Sequence, residues 1–444
     1  MKRFSHLTEL ILVQLLSLFV SSFILHPSSL LAQGPLAPPG APEPTMKTLD
    51  QLEPRTPISS LPVTISNSGS YYLTGNFVVG GGPTILIATD NVTLDFKGFT
   101  ITSTNSPAGG FGIQVSGARR NIAILNGNLN GGGTNIGGSY TGPGFLIGID
   151  AAGSQSIRVS GMNVSGCQSR GINLGPDYST VVAQCTVRTV GNEGITAGTV
   201  SDSIVTDSNG SGITAKTANN STGFGGTGTG LAAENASNCN GSSGTGIGLT
   251  AVTAHNCSGS SSNNTGLNAA TAQNCSGFST NGIGLNATIA ENSSGVSINS
   301  HGLSALTASN CRGTGGGGNG VSAFTAGNCR GTALGGGAGV SADTANNCYG
   351  DSSSGNGVSA VTANNCRGSS TSGTGLRAFS TATSCYGFTS GAAAMALNCD
   401  GTANTCTGQN NGLGTAIKAA IGIRCVKVSG TNNITAPFLG TVSP

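Results

Sequence analysis

Apolar positions recur along this chain on a nearly constant step. Gly followed by Ile, Leu or Val stands at Gly194, Gly212, Gly230, Gly248, Gly266, Gly284, Gly302 and Gly320, each 18 residues from the last. The series continues at Gly339, Gly357 and Gly375 with steps of 19, 18 and 19. Earlier members at Gly112, Gly148 and Gly171 are 36 and 23 apart, so the first turns are expected to be longer or to carry insertions. The unit reads G-[LV]-x-A-x-T-A-x-N-C-x-G-x-S-x-x-x-G, and Gly266–Ile283 (GLNAATAQNCSGFSTNGI) is a good instance. Alternation in Leu267-x-Ala269 fits a short strand with one face inward. Gly, Ser, Asn and Thr disfavour helix throughout.

Self-similarity on this scale marks a solenoid. A left-handed solenoid repeats an aliphatic every six residues, but Leu267 is followed at that step by Gln273 and then Ser279. A calcium roll needs Gly-Gly-x-Gly-x-Asp, and the repeats lack the Asp apart from Asp343. The predicted fold is therefore all-β, a single right-handed parallel β-helix with an 18–23-residue period. About fourteen coils at roughly 4.8 Å each would make a rod near 70 Å long.

Other columns follow from the same register. Ala at 218, 236, 254, 272, 290, 308, 326, 345 and 363 would let corners close tightly. Asn at 220, 238, 256, 274, 292, 310, 328, 347 and 365 would stack and hydrogen-bond along the rod. The Gly column from 223 to 368 is expected to serve turns of unusual φ.

The ends differ from the repeat. Lys2 and Arg3 precede an uncharged apolar run, Leu10–Leu25, of 16 residues, and Ser28–Gln33 offers small residues for cleavage after Ala32. Such a run falls short of the roughly 30 Å hydrocarbon core, so residues 1–32 are expected to be a signal peptide. No later stretch is expected to span a membrane, and the mature chain is expected to be secreted or at the cell surface, or periplasmic. Eight of the 15 prolines lie in 33–62, which predicts a linker. The β-helix is then expected over 63–444, with a cap and first coils at 63–110, regular repeats at 194–390 and final coils with a cap at 391–444. Between Pro176 and Pro437 there is no proline, which suits unbroken strand pairing.

Ser68–Asn76 (SGSYYLTGN), Asp90–Ile101 (DNVTLDFKGFTI), Val115–Asn128 (VSGARRNIAILNGN) and Ile157–Cys167 (IRVSGMNVSGC) carry a family likeness. The chain from about Leu49 onward resembles bacterial exported right-handed β-helix repeat proteins of the pectin-lyase-like superfamily. That resemblance implies the fold. It leaves function open among lyases, hydrolases, epimerases and adhesin-like proteins. Hydrolases of this kind use clustered Asp with His and an Arg/Lys motif, and no such cluster occurs. A lyase would need Ca²⁺-binding carboxylates beside a basic residue, and the best group is Asp90, Asp95, Lys97, Arg119 and Arg120. Ordinary solvated strand charges explain that group more simply.

Composition narrows the field further. Lys, Arg, Asp and Glu make up 8% of the 444 residues, net charge is +2, and Gly numbers 74. This balance offers no electrostatic footprint for nucleic acid. The only His residues beyond the leader, His255 and His301, are expected to be exposed repeat variants. Among 13 Cys, those at 239, 257, 275, 311, 329, 348, 366 and 385 share one column, where Ser203, Ser221 and Ser293 also stand. Free, buried thiols are the preferred reading, because Ser in the same slot means no bridge is obligatory. A straight rail of sulfurs is not a tetrahedron, so no metal is expected, and no cofactor either.

Two outward columns are candidate surfaces. The residue after Cys is Arg312, Arg330, Tyr349, Arg367 and Tyr386 in successive coils, a guanidinium–phenol stripe suited to a polysaccharide or a cell-envelope glycan. Thr217, Thr253, Thr271, Thr307, Thr325, Thr344 and Thr362 form a second column, which suggests ice binding, although Asn235 and Ile289 interrupt it. The expected function is a non-catalytic extracellular rod with the stripe as its binding site. A polysaccharide lyase or hydrolase, needing Ca²⁺ only as a lyase, is the alternative, and an ice binder the second.

Overall fold

The structure is a computed structural model that describes residues 55–429. The expected signal peptide and most of the expected linker lie outside the described residues, as does 430–444. Within them the chain is all-β, with no helix among the described residues. Each strand pairs in parallel with the equivalent strand one turn later, and only Thr134–Ile136 and Ser139–Thr141 stand apart as an antiparallel hairpin. The fold is a single parallel β-solenoid.

The turn around Leu267 shows how the repeat closes. Leu267–Gln273 and Ser276–Ser279 are its strands. The first contains a bend, because ladder partners exist for 267–269 and for 271–273 but not for Ala270. Three walls result, at 267–269, 271–273 and 276–279. Leu267, Ala269, Ala272, Cys275, Gly277 and Ser279 face inward and are buried. Asn274 makes the corner before wall three with φ of 54°, in the left-handed region. The same corner has positive φ at every Asn of the column, and also at Gln184, Asp202, Ser384, Thr405 and Arg424. Asn is favoured there because its short polar side chain tolerates that conformation. Side-chain stacking is the lesser part: Asn238 donates to Asn220 at 3.2 Å and Asn256 to Asn238 at 3.2 Å, but the ladder is not continuous.

The glycine column has a different cause from the one expected. From Gly223 to Gly368 none of its members has a positive φ. Gly277 instead points inward at the opposite wall, where a Cβ would lie 2.1 Å from the Gly284 carbonyl oxygen. Likewise a Cβ on Gly266 would lie 2.3 Å from the carbonyl oxygen of Phe278. The regular turns are so thin that backbone meets backbone across the interior.

The stack is longer than the fourteen coils expected. It amounts to about 21 turns with a period of about 18 residues, or roughly 100 Å of rod. The Gly-aliphatic signature is diluted in the early turns, where Ile85 pairs with Ile113 and Ile113 with Ile149, steps of 28 and 36. Some of these longer early turns therefore escape a repeat count. The ladder also starts within 33–62: Thr56–Ile58 is already a strand, paired with Tyr71–Leu73, and Ile58 is buried.

Candidate functional site

The outward residues of wall three are positioned by the inward ones. Cys311, Cys329, Cys348, Cys366 and Cys385 are buried, so the residue after each faces out. Ladder pairing sets Arg312 opposite Arg330, Arg330 opposite Tyr349, Tyr349 opposite Arg367, and Arg367 opposite Tyr386. All five predicted stripe residues are thus brought into one line. The Arg330 guanidinium lies 5.0 Å from the centre of the Tyr349 ring, and Arg367 lies 5.7 Å from Tyr349 and 5.1 Å from Tyr386. Tyr386 donates its hydroxyl hydrogen to Gln409 one turn on. The three arginines are exposed and make no ion pair among the described residues. A guanidinium lying over a phenol ring keeps N–H groups available for acceptors on a ligand.

The group proposed for lyase chemistry is otherwise engaged. Arg55 reaches Asp95 at 2.9 Å, the Lys97 backbone N–H donates to Asp95 at 2.9 Å, and Asn126 donates at 3.3 Å. Burial works to raise the Asp95 carboxyl, but those three donors hold it below its usual value. Asp90 accepts the Arg120 backbone N–H at 3.1 Å, and Arg119 donates to the Ser116 carbonyl at 2.9 Å. Lys97 lies over the Tyr72 ring at 3.7 Å. No cluster of three or more His, Cys, Asp or Glu able to hold a metal ion occurs among the described residues.

His255 and His301 are not brought together. His255 faces outward at the end of Leu249–His255, whereas His301 sits in a loop between strands and accepts the Asn319 backbone N–H at 2.8 Å. The Thr column lies on wall two in continuous register with Asn235 and Ile289. It borders a bend, and several of its side chains are only half-exposed.

All 13 cysteines are free and buried. Burial pushes the Cys167 thiol up to about 12 and that of Cys185 up to about 11. Neither thiol is an ionised nucleophile near neutrality. The column has a hydrogen-bonding task that spacing alone does not reveal. Cys275 donates to the carbonyl of Gln273 at 3.2 Å and sits 3.4 Å from that of Ala254. Ser293 makes the equivalent bonds to Glu291 at 2.7 Å and Ala272 at 3.3 Å. Cys and Ser alternate there because both cap the carbonyl just before the left-handed corner.

Two outward features escaped the sequence reading. The hairpin Thr134–Ile136 with Ser139–Thr141 is anchored by Asp207, which accepts from Asn135 at 2.5 Å and Tyr140 at 2.6 Å. Val252, Leu306, Phe324, Val361 and Phe379 are all exposed in a single column at the bend after wall one. The varied residue types of that column concealed it. No protein-family model, no curated protein and no solved structure matches the chain. Among the described residues no helix is long and apolar enough to cross a membrane.

Proposed function

We propose that this chain is an exported, non-catalytic rod that binds an extended polysaccharide along wall three. The observation that supports the reading is the stripe itself. Arg312, Arg330 and Arg367 stand in register, without carboxylate partners among the described residues, and are interleaved with Tyr349 and Tyr386. Rungs about 4.8 Å apart offer one polar or stacking contact per step to a ligand lying parallel to the axis. Export through the expected signal peptide would bring the rod to the cell surface or the medium, where such polymers occur. The winding is read as right-handed, the hand favoured by parallel β crossovers, in keeping with the resemblance to pectin-lyase-like proteins.

Retention on immobilised acidic and neutral polysaccharides tests the reading. Arg330→Ala combined with Tyr349→Ala should weaken retention by about tenfold, as expected for loss of one charge-assisted contact and one stacking contact. Arg330 is exposed and Tyr349 lies half-buried on the outer face, outside the core, so the fold should survive. Equal retention of the parent and the double variant would remove the stripe as a binding site.

A further inference from the structure

The bend after wall one carries a column that neither the stripe nor the core uses. Its members, turn by turn, are Lys216, Glu234, Val252, Ala270, Thr288, Leu306, Phe324, Asp343 and Val361, followed by Phe379. Val252 is 56% exposed, Leu306 55% and Phe324 57%. Monomeric proteins seldom leave a line of large apolar side chains in water without a partner. Beside its middle lies a shallow groove of about 430 Å³, floored by Ala287 and Ala305 and edged by Leu306 and Phe324. A ridge with a groove of its own at mid-length suits a ridge of the same kind.

We infer that two copies of this chain pack antiparallel along this column, about a two-fold axis between Leu306 and Phe324. The order of residues is self-complementary about that point, as an isologous contact requires. Leu306 meets the partner's Phe324, Ala270 meets the partner's Val361, and Val252 meets the partner's Phe379. The two polar members of the central stretch also meet: the Thr288 hydroxyl faces the partner's Asp343 carboxylate, twice by symmetry. Beyond these, the register sets Glu234 opposite the partner's Asp400, two carboxylates each already paired within its own chain, with Lys216 and with Arg377. Shifting this antiparallel register by one step either way would set Thr288 against Phe324 or Leu306 against Asp343, so this alignment keeps apolar opposite apolar through the centre. Seven steps of about 4.8 Å make a contact roughly 34 Å long but narrow. It falls at the small end of specific interfaces, so association should depend on concentration in the micromolar range.

Sedimentation velocity of the full chain under reducing conditions, from about 1 to 500 µM, tests the pairing. A monomer–dimer equilibrium is expected, and Phe324→Asp with Leu306→Asp should abolish it. The register is tested separately at one exposed position. Thr288→Lys should tighten the dimer by about tenfold by placing an ammonium against the partner's Asp343, and Thr288→Asp should weaken it by a similar factor. Circular dichroism should match the parent for each variant, because all three positions are solvent-facing. A chain that stays monomeric throughout overturns the inference. So does a dimer indifferent to Thr288 or to the double Asp variant, which would mean another surface or another register. Polysaccharide retention does not depend on this column, so failure here leaves the stripe reading to its own test.

Discussion

The turns before residue 194 and the regular turns after it solve the same packing problem with different materials. The fully buried phenylalanines, Phe96 and Phe145, lie in the early turns, among a dense set of buried aliphatics such as Leu94, Ile124 and Ile149. Those turns run up to 36 residues, a length that includes the outward hairpin of residues 134–141, and the wide region they form is filled by aliphatic and aromatic groups. A regular turn buries one large aliphatic, such as Leu267, and otherwise lines its interior with Ala, Cys, Gly and Ser. Its walls approach until main-chain atoms touch. The wide region is held mainly by removal of apolar surface from water. The thin region depends more on dense contact and hydrogen bonds per turn, including the inward serines: Ser261 donates to the Gly246 carbonyl at 2.7 Å and Ser297 to Gly282 at 2.7 Å. A narrow interior tolerates polar side chains because each finds a carbonyl within reach.

The sharpest way to break this comparison is to add one methyl group. Gly277→Ala places its Cβ against the Gly284 carbonyl, where only movement of backbone could relieve the clash, and should cost about 3 kcal/mol or more. Gly75→Ala in the early turns meets nothing within 4 Å and should stay within about 0.5 kcal/mol. Hydrogen exchange should report both, with loss of protection for Gly277→Ala centred on the neighbouring turns, as expected when each repeat contacts only its neighbours. Equal effects at the two positions would show that the interior contact at Gly277 limits stability no more than a bend such as Gly75 does.

The next test concerns the sulfur column. Cys311→Ser should retain the donor to the Ser309 carbonyl, now 3.2 Å from the thiol, and should change stability by less than about 1 kcal/mol. Cys311→Ala leaves that carbonyl without the donor and opens a small void, at a cost of about 1–2 kcal/mol. Denaturant melts of the two variants should therefore separate, and coincident curves would reduce the column to space filling.

The smallest effect concerns acid. The Asp95 carboxyl has a lowered pKa in the fold, so its contribution is present above the unfolded value of about 3.8 and is lost as pH falls through the lower folded value. Asp95→Asn should lower the melting temperature at pH 6 and make little difference well below pH 3. In the regular turns the Lys216 ammonium and the Tyr178 hydroxyl hold the Glu234 carboxyl below its usual value in the same sense, so it is exchange beyond that pair, in 250–375, that should not follow the titration. A uniform acid response along the rod would contradict the assignment.

Much of the regular region was legible because its columns repeat residue by residue. Leu, Ala, Asn, Cys and Gly hold their places with few exceptions, and the outward direction of Arg312 to Tyr386 follows from the inward Cys beside them. The physical roles were harder to separate. Gly and Asn both tolerate left-handed backbone, and only the fold shows that Asn274 takes it while Gly277 is required by a wall 2.1 Å from its missing Cβ. The apolar ridge was hidden because Ala270, Leu306 and Asp343 have nothing in common but their position on a bend. The early turns blurred the count because their lengths vary, the longest carrying the hairpin of residues 134–141, rather than keeping a fixed step.

One property of the regular turns bears on how such a molecule changes over generations. Because each turn passes its backbone bonds to the next through the same pairs, such as Leu267 with Leu285 and Ala269 with Ala287, deleting or duplicating one unit leaves every remaining junction unchanged. The gene can therefore gain or lose copies without relearning how to fold, and the protein behaves as a ruler graduated in steps of about 4.8 Å. Its reach is a countable trait, set by copy number and open to rapid adjustment by recombination between near-identical segments.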